Sequence, residues 1–242
     1  MDKINKLKAI IAESSKIVLF TGAGISVPSG IPDFRSSSGL YSSGEFKNLD
    51  PEVIISKTFF DKNPKLFYEY YKKHLIYPKA KANVAHYYFS DLEKVGKLKA
   101  TITQNIDNFH QESGSKNVFE LHGSVHRNYC MKCKKFYDLD YIINQKDIPY
   151  CKECGGMIKP DVVLYEETLN DETLFNAIDA IKDSDCLIVV GTSLVVYPAA
   201  GLIRYFRGKN LVLINKQKTS YDMDADLVIN DDIIEVIKKL QI

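Results

Sequence analysis

Short runs of β-branched and aliphatic residues, each followed by a polar turn and a helix-like stretch, constrain this chain more than any other feature. The runs lie at 17–20, 100–103, 186–190, 211–214 and 227–229, and helical patterns occupy 84–95, 171–181 and 232–240. Strands that are apolar throughout are buried on both faces, and strands alternating with helices pair in parallel through crossovers. The expected fold is therefore α/β, a Rossmann-like parallel sheet with helices on both faces. The first 16 residues mix charge and apolar residues at helical spacing, so they read as an amphipathic helix rather than a signal peptide.

Two segments break the alternation. Residues 36–82 cluster aromatics around Pro64 and Pro78 and read as a helical insertion, while 128–159 is rich in Lys, Cys and Tyr and reads as a small metal module. The expected organisation is a nucleotide-binding domain of 1–35, 83–127 and 160–242, interrupted by these two insertions. Lys plus Arg is 32 against Asp plus Glu 31, so no overall field would gather nucleic acid or an anionic membrane. The longest apolar region, 186–203, is broken by Gly191-Thr192-Ser193 and Pro198, which suits a strand, loop and helix start better than a membrane span. The expectation is a cytoplasmic protein whose five cysteines are reduced.

Reduced cysteines at conspicuous spacing argue for metal. Cys130-x-x-Cys133 is followed after 17 residues by Cys151-x-x-Cys154, the pattern of a zinc ribbon in which four thiolates close a tetrahedral shell. A closed shell has no position for water, so one structural zinc is expected. A zinc deaminase would need H-x-E, and His122-Gly123-Ser124 does not supply it.

The strand ends carry the rest of the chemistry. Gly22-Ala23-Gly24 follows the first strand, where backbone N–H groups can approach a pyrophosphate; a plain tight turn would use the same residues, because Val27 stands where a third glycine is usual. Asp33, Phe34 and Arg35 bring a carboxylate, an aromatic ring and a guanidinium to one loop, suited to a ribose, a flat ring and a phosphate, or to a surface ion pair beside a core Phe. After the strand at 100–103 come Gln104, Asn105, Ile106 and Asp107, amides and a carboxylate that can orient water or ribose hydroxyls, or cap a helix. His122 precedes a glycine that leaves one imidazole face open, although a lone histidine is more often structural. Gly191, Thr192 and Ser193 end the strand at 186–190, Asn215 and Lys216 the strand at 211–214, and Asp232 follows the last strand. Together these small polar strand ends suggest an adenosine site.

Taken in order, GAGIS…SGIPDFR, TQNID, LHG, the paired CxxC knuckles, a VVL segment and GTSLVVYPA resemble the sirtuins, the NAD-dependent protein-lysine deacylases, over residues 16–232. The resemblance implies a Rossmann-like domain, a zinc ribbon and a helical lobe, with NAD consumed in the cleft between them and an acyl-lysine protein or peptide as partner. It implies that Gly22, Ala23 and Gly24 line the pyrophosphate and that Asp33, Phe34 and Arg35 close over the nicotinamide end. Gln104 and Asn105 would border the nicotinamide ribose, Ile106 and Asp107 the carboxamide, and Ser193, Asn215 and Asp232 the adenosine half. The implied catalytic set is His122, as general base, with Asn105 and Asp107. Acyl transfer to ADP-ribose with release of nicotinamide is the implied reaction; ADP-ribosyl transfer by the same site, or an NAD-sensing zinc protein without catalysis, are its alternatives. Two departures stand out. Family members carry Phe-Gly-Glu where this chain has Tyr165-Glu166-Glu167, and the Tyr-x-x-Arg pair of members that favour acidic acyl groups is met by Tyr68 and Tyr71, with Lys72 adjacent. Acetyl or neutral longer acyl groups are expected over succinyl.

Overall fold

The computed structural model describes residues 2–33 and 50–240. A six-stranded, wholly parallel sheet forms its centre: β1 (Ile17–Thr21), β2 (Leu98–Thr103), β3 (Val118–Glu120), β7 (Cys186–Val190), β8 (Asn210–Ile214) and β9 (Leu227–Ile229), in the order β3-β2-β1-β7-β8-β9. Every residue of β1 and β7 is buried, as expected for central strands covered on both faces. Residues alternate between two cores. Ile17, Leu19, Leu98 and Ile188 pack with α1 (Lys3–Glu13), α5 (Val84–Lys94) and α9 (Ile233–Leu240), whereas Val18, Phe20, Ile102 and Leu187 pack with α8 (Asp171–Asp183) and the 3₁₀ segment Ala199–Tyr205.

The order reverses between β1 and β7, and in open α/β sheets ligands bind beyond the carboxyl ends of the strands at such a switch point. The two loops there interlock. Gly22 N donates to Val190 O (3.1 Å) and Gly24 N to Gly191 O (2.8 Å). A Cβ at Gly24 would stand 2.6 Å from Gly191 Cα, so only glycine lets the loops meet.

The remaining strands, β4 (Gly123–Cys130), β5 (Phe136–Tyr137) and β6 (Ile158–Val162), form a small antiparallel sheet that carries the cysteine knuckles. The segment from 50 onward contributes α2 (Pro51–Ile54), α3 (Lys57–Lys62) and α4 (Pro64–His74). These are not separate from the cysteine module: Phe60, Phe67, Tyr68 and Tyr71 share one core with Val125, Cys130, Tyr137, Leu139, Ile142, Cys151 and Ile158. Tyr68 donates its hydroxyl to Ile158 O, and Lys72 Nζ reaches Gln145 O (2.6 Å) and Asp147 O (3.0 Å). Short α6 (Phe109–Glu112) and α7 (Leu139–Ile143) complete the fold.

Candidate active site and cysteine centre

One cleft of about 490 Å³ opens beyond the carboxyl ends of β1, β2, β7 and β8 and is walled on its other side by residues 162–167 and the end of α4. It gathers Gly22, Ala23, Gly24, Asp33, Gln104, Asn105, Ile106, Asp107, His122, Gly191, Thr192, Ser193, Asn215 and Lys216. Phe34 and Arg35 lie outside the described residues. Asp232 does not line the cleft; its neighbour Asp231 does. Asp232 instead caps α9 by accepting from Ile234 N (2.8 Å) and pairs with Lys216 Nζ at 2.8 Å.

His122 is fixed from both sides. Its Nδ1 lies 2.9 Å from Gln104 O. A carbonyl only accepts, so Nδ1 carries the proton and Nε2 keeps its lone pair. His122 O in turn accepts from Val163 N at 3.0 Å. Burial lowers the imidazole pKa below its ordinary 6.5, opposed by the bond to Gln104 O. Gly123 must be glycine: its φ is +74°, and a Cβ there would sit 1.8 Å from Asp161 O.

Asn105 and Asp107 converge on Ser26, which sequence reasoning did not single out. Ser26 Oγ donates to Asp107 Oδ2 (2.6 Å) and accepts from Asn105 Nδ2 (3.1 Å). Asp107 Oδ1 accepts from Phe109 N at 3.0 Å in an Asx turn that leads into α6, while Oδ2 is held by Ser26 in the cleft. Burial raises its pKa, against these two hydrogen bonds. Gln104 Nε2 donates to Thr192 Oγ1 (3.0 Å), bridging the β2 and β7 loops.

Sequence reasoning also missed Ile55, His74, Leu75, Tyr77 and Tyr197 as cleft residues. Tyr68 and Tyr71 are not among them: both are buried in the α4 core, Tyr71 stacked on Phe67 with centroids 5.6 Å apart. Among the described lining residues, Lys216 is the one Lys or Arg, and it lies beyond β8.

Glu166 adopts φ +75°, the left-handed angle of a glycine, while its Oε2 accepts from Thr58 N at 2.8 Å near the start of α3. Its pKa is lowered first by hydrogen bonding to the Thr58 side chain and then by that backbone bond. A Cβ in this region is strained. Glu166→Gly and Glu166→Ala both lose the carboxylate, but only Gly relieves the backbone. The Gly variant is expected to melt about 2 to 4 °C above the Ala variant; equal melting temperatures in a thermal scan would show that Glu166 carries no backbone strain.

The four cysteines make a second site. Their Sγ atoms lie within 4.8 Å of one another, with Cys130–Cys154 at 3.4 Å and Cys133–Cys151 at 3.6 Å. A tetrahedron of Zn–S bonds near 2.3 Å has edges of about 3.8 Å, so the thiolates fit zinc and all five cysteines are free of disulfides. The two knuckles match: Lys134 N donates to Cys130 O and Gly155 N to Cys151 O, both at 3.0 Å, and both donors are left-handed at φ +62° and +68°. Tyr137 OH donates to Cys151 Sγ at 3.1 Å, an outer partner of the kind that orients metal ligands.

A Rossmann-like sheet whose switch-point cleft holds a fixed histidine, beside a four-cysteine module, defines an α/β protein with a nucleotide cleft and a structural metal centre. The Sir2 family model matches residues 22–198, and the chain belongs to that family. A Clostridium perfringens protein named NAD-dependent protein deacetylase is 59% identical over 240 residues, 99% of this chain and 98% of that one. Among solved structures, a Sir2 protein with a p53 peptide and NAD+ superposes with a TM-score of 0.86 at 40% identity, covering 98% of this chain and 97% of that one. Another, with a deacetylated p53 peptide and 3′-O-acetyl ADP-ribose, gives 0.89 at 38% identity, with coverage of 98% and 97%. No helix among the described residues is long and apolar enough to cross a membrane.

Proposed function

We propose that this chain is an NAD-dependent protein-lysine deacylase acting on acetyl and other neutral acyl groups. The observation that carries the reading is that His122, with Nε2 as its lone-pair nitrogen, shares one cleft with the Gly22–Gly24 turn and the Gln104-Asn105-Ile106-Asp107 segment. NAD, when bound, would supply the ribose from which nicotinamide departs and to which the acyl group passes. Gly22 N and Gly24 N already donate to Val190 O and Gly191 O, so the glycine turn receives the NAD pyrophosphate through Ala23 N and the close backbone approach that the glycines permit. Gln104 and Asn105 border the reacting ribose, and Ile106 and Asp107 select the carboxamide. Ser193, Asn215 and Lys216 face the adenosine half, with Asp232 acting through Lys216. His122 Nε2 takes a proton from a ribose hydroxyl, and the bond from Nδ1 to Gln104 O stabilises the resulting imidazolium.

In this reading the domain formed by 1–35, 83–127 and 160–242 holds NAD, and the acyl-lysine segment docks between its residues 162–167 and the end of α4 in the 36–82 insertion, with the 128–159 module packed behind α4. Free thiols arranged for metal suit a reducing, cytoplasmic compartment. With Tyr71 buried and Lys72 bound to the cysteine module, neither α4 position offers a cation to an acidic acyl group. Incubation with NAD and an acetyl-lysine peptide should give a peptide lighter by one acetyl group and one nicotinamide per turnover. A succinyl peptide should react at least about tenfold more slowly. Label from NAD appearing on protein, with the acetyl group retained, would overturn the reading in favour of ADP-ribosyl transfer.

A further inference from the structure

Thr21 and His110 are buried polar residues, 0% and 1% exposed, that the proposed chemistry does not use. Thr21 follows Ile17 and Leu19 on the face of the sheet that α5 covers, and His110 reaches it from α6. Thr21 and Thr103 are the last residues of β1 and β2 and sit opposite each other in register. The next residues on each chain are those of the cleft.

Thr21 holds both ends of one arch. Where residues 104–109 leave the sheet, Gln104 N donates to Thr21 O at 3.0 Å. Where they return, His110 Nε2 lies 3.0 Å from Thr21 Oγ1. Between these points are Gln104, Asn105, Ile106 and Asp107, with Asn108 in the left-handed region at φ 66° completing the bend. A third tie runs through Thr103 Oγ1, which accepts from Thr21 Oγ1 (2.9 Å) and from Asn105 N (3.0 Å). Because Gln104 O also accepts from His122 Nδ1, displacement of the arch would move the general base with it.

With Thr21 giving its one hydroxyl proton to Thr103, the His110 ring donates through Nε2–H and keeps a lone pair on Nδ1. The other titratable group against the ring is His86, with centroids 5.0 Å apart; its Nδ1 accepts from Asn83 N at 3.2 Å, so its own proton sits on Nε2. Both imidazoles are neutral, and neither lines the cleft. A proton relay is therefore the wrong role for them.

We propose that Thr21 and His110 form a clasp that sets the position of the 104–109 arch, with His110 a positioning residue for Asn105, Asp107 and, through Gln104 O, His122. The kinetic part of the test rests on the deacylase reading; the spectroscopic part does not. In the zinc-loaded protein, His110→Leu should lower kcat for acetyl-peptide turnover at least about tenfold, since small misplacement of reacting groups is costly. Its NAD Kd should change less than about threefold, because the adenosine half meets other strand ends. His110→Gln, whose amide nitrogen can reach Thr21 as a donor, should recover kcat to within about threefold of wild type. Thr21→Val, which keeps the volume and removes the acceptor, should reproduce the loss. Imidazole nitrogen spectra, assigned by difference with His110→Gln, should show His110 neutral and Nε2-protonated from about pH 5.5 to 8.5. Wild-type kcat in His110→Leu or Thr21→Val, a Gln variant no better than Leu, or an Nδ1-protonated or titrating ring would each overturn the clasp. Should the Leu variant fail to fold, His110→Gln, Thr21→Val and the spectra still decide. Absence of wild-type turnover with an Nε2-protonated ring would reject the deacylase reading and leave the clasp standing.

Discussion

Replacing His122 by alanine is expected to lower deacylation at least about a hundredfold, because a positioned general base contributes about 10² to 10⁴ in rate. NAD affinity should stay within about threefold, since the glycine turn, Gln104, Asn105 and the β7 and β8 ends remain in place. The pH profile separates this role from a structural one. In the proposed role His122 acts as a base only with Nε2 unprotonated, and burial holds the imidazole below 6.5. The rate should therefore rise with pH along an acid limb centred below 6.5 and then run flat through neutrality. The Ala variant should lose that limb along with the rate. Stability follows the same sign: with the folded pKa depressed, the unfolded chain binds more protons as pH falls below 6.5, so the His122 contribution declines there toward the folded pKa. Near-normal turnover in His122→Ala, with the acid limb intact, would place the base elsewhere.

What could be read from the sequence was what local pattern dictates. Five strands were visible because central parallel strands are apolar throughout, as in Cys186–Val190. The sixth, Val118–Glu120, escaped because it is three residues long, half-buried at the sheet edge and ends in a charged residue. The strand-end motifs were legible for the same local reason: glycines and polar residues directly after an apolar run mark the carboxyl edge of the sheet. Ser26 was not, since one hydroxyl within a glycine motif carries no pattern, and its two partners lie 79 and 81 residues away. Asp231 and Asp232 are adjacent acids whose sorting between cleft and helix cap depends on the last turn of chain before α9. The union of the two insertions was illegible because it is made by contacts such as Tyr68 to Ile158, 90 residues apart.

That union makes loss of zinc a large perturbation well beyond the knuckles. Structural zinc is worth about 10 to 16 kcal/mol, against about 5 to 15 kcal/mol for a whole domain, so the module cannot hold its fold without it. Cys130 and Cys151 are buried members of the core that contains Phe60, Phe67, Tyr68 and Tyr71. Tyr137 reaches from the same core to Cys151 Sγ and accepts from Lys152 N at 2.9 Å. When the knuckles open, α4 loses its packing face, and with it the placement of His74, Leu75 and Tyr77 in the cleft wall. The sheet has its own two cores and keeps its strands. Chelation or Cys151→Ser should therefore remove about one zinc per chain and reduce deacylation to background. Tyrosine fluorescence from the α4 cluster should change in parallel, while the far-ultraviolet signal of the parallel sheet is largely retained. Restoring zinc to the chelated wild type should return activity. A Cys151→Ser protein with full zinc content and wild-type turnover would mean that the thiolate shell is dispensable and that the two insertions do not stand or fall together.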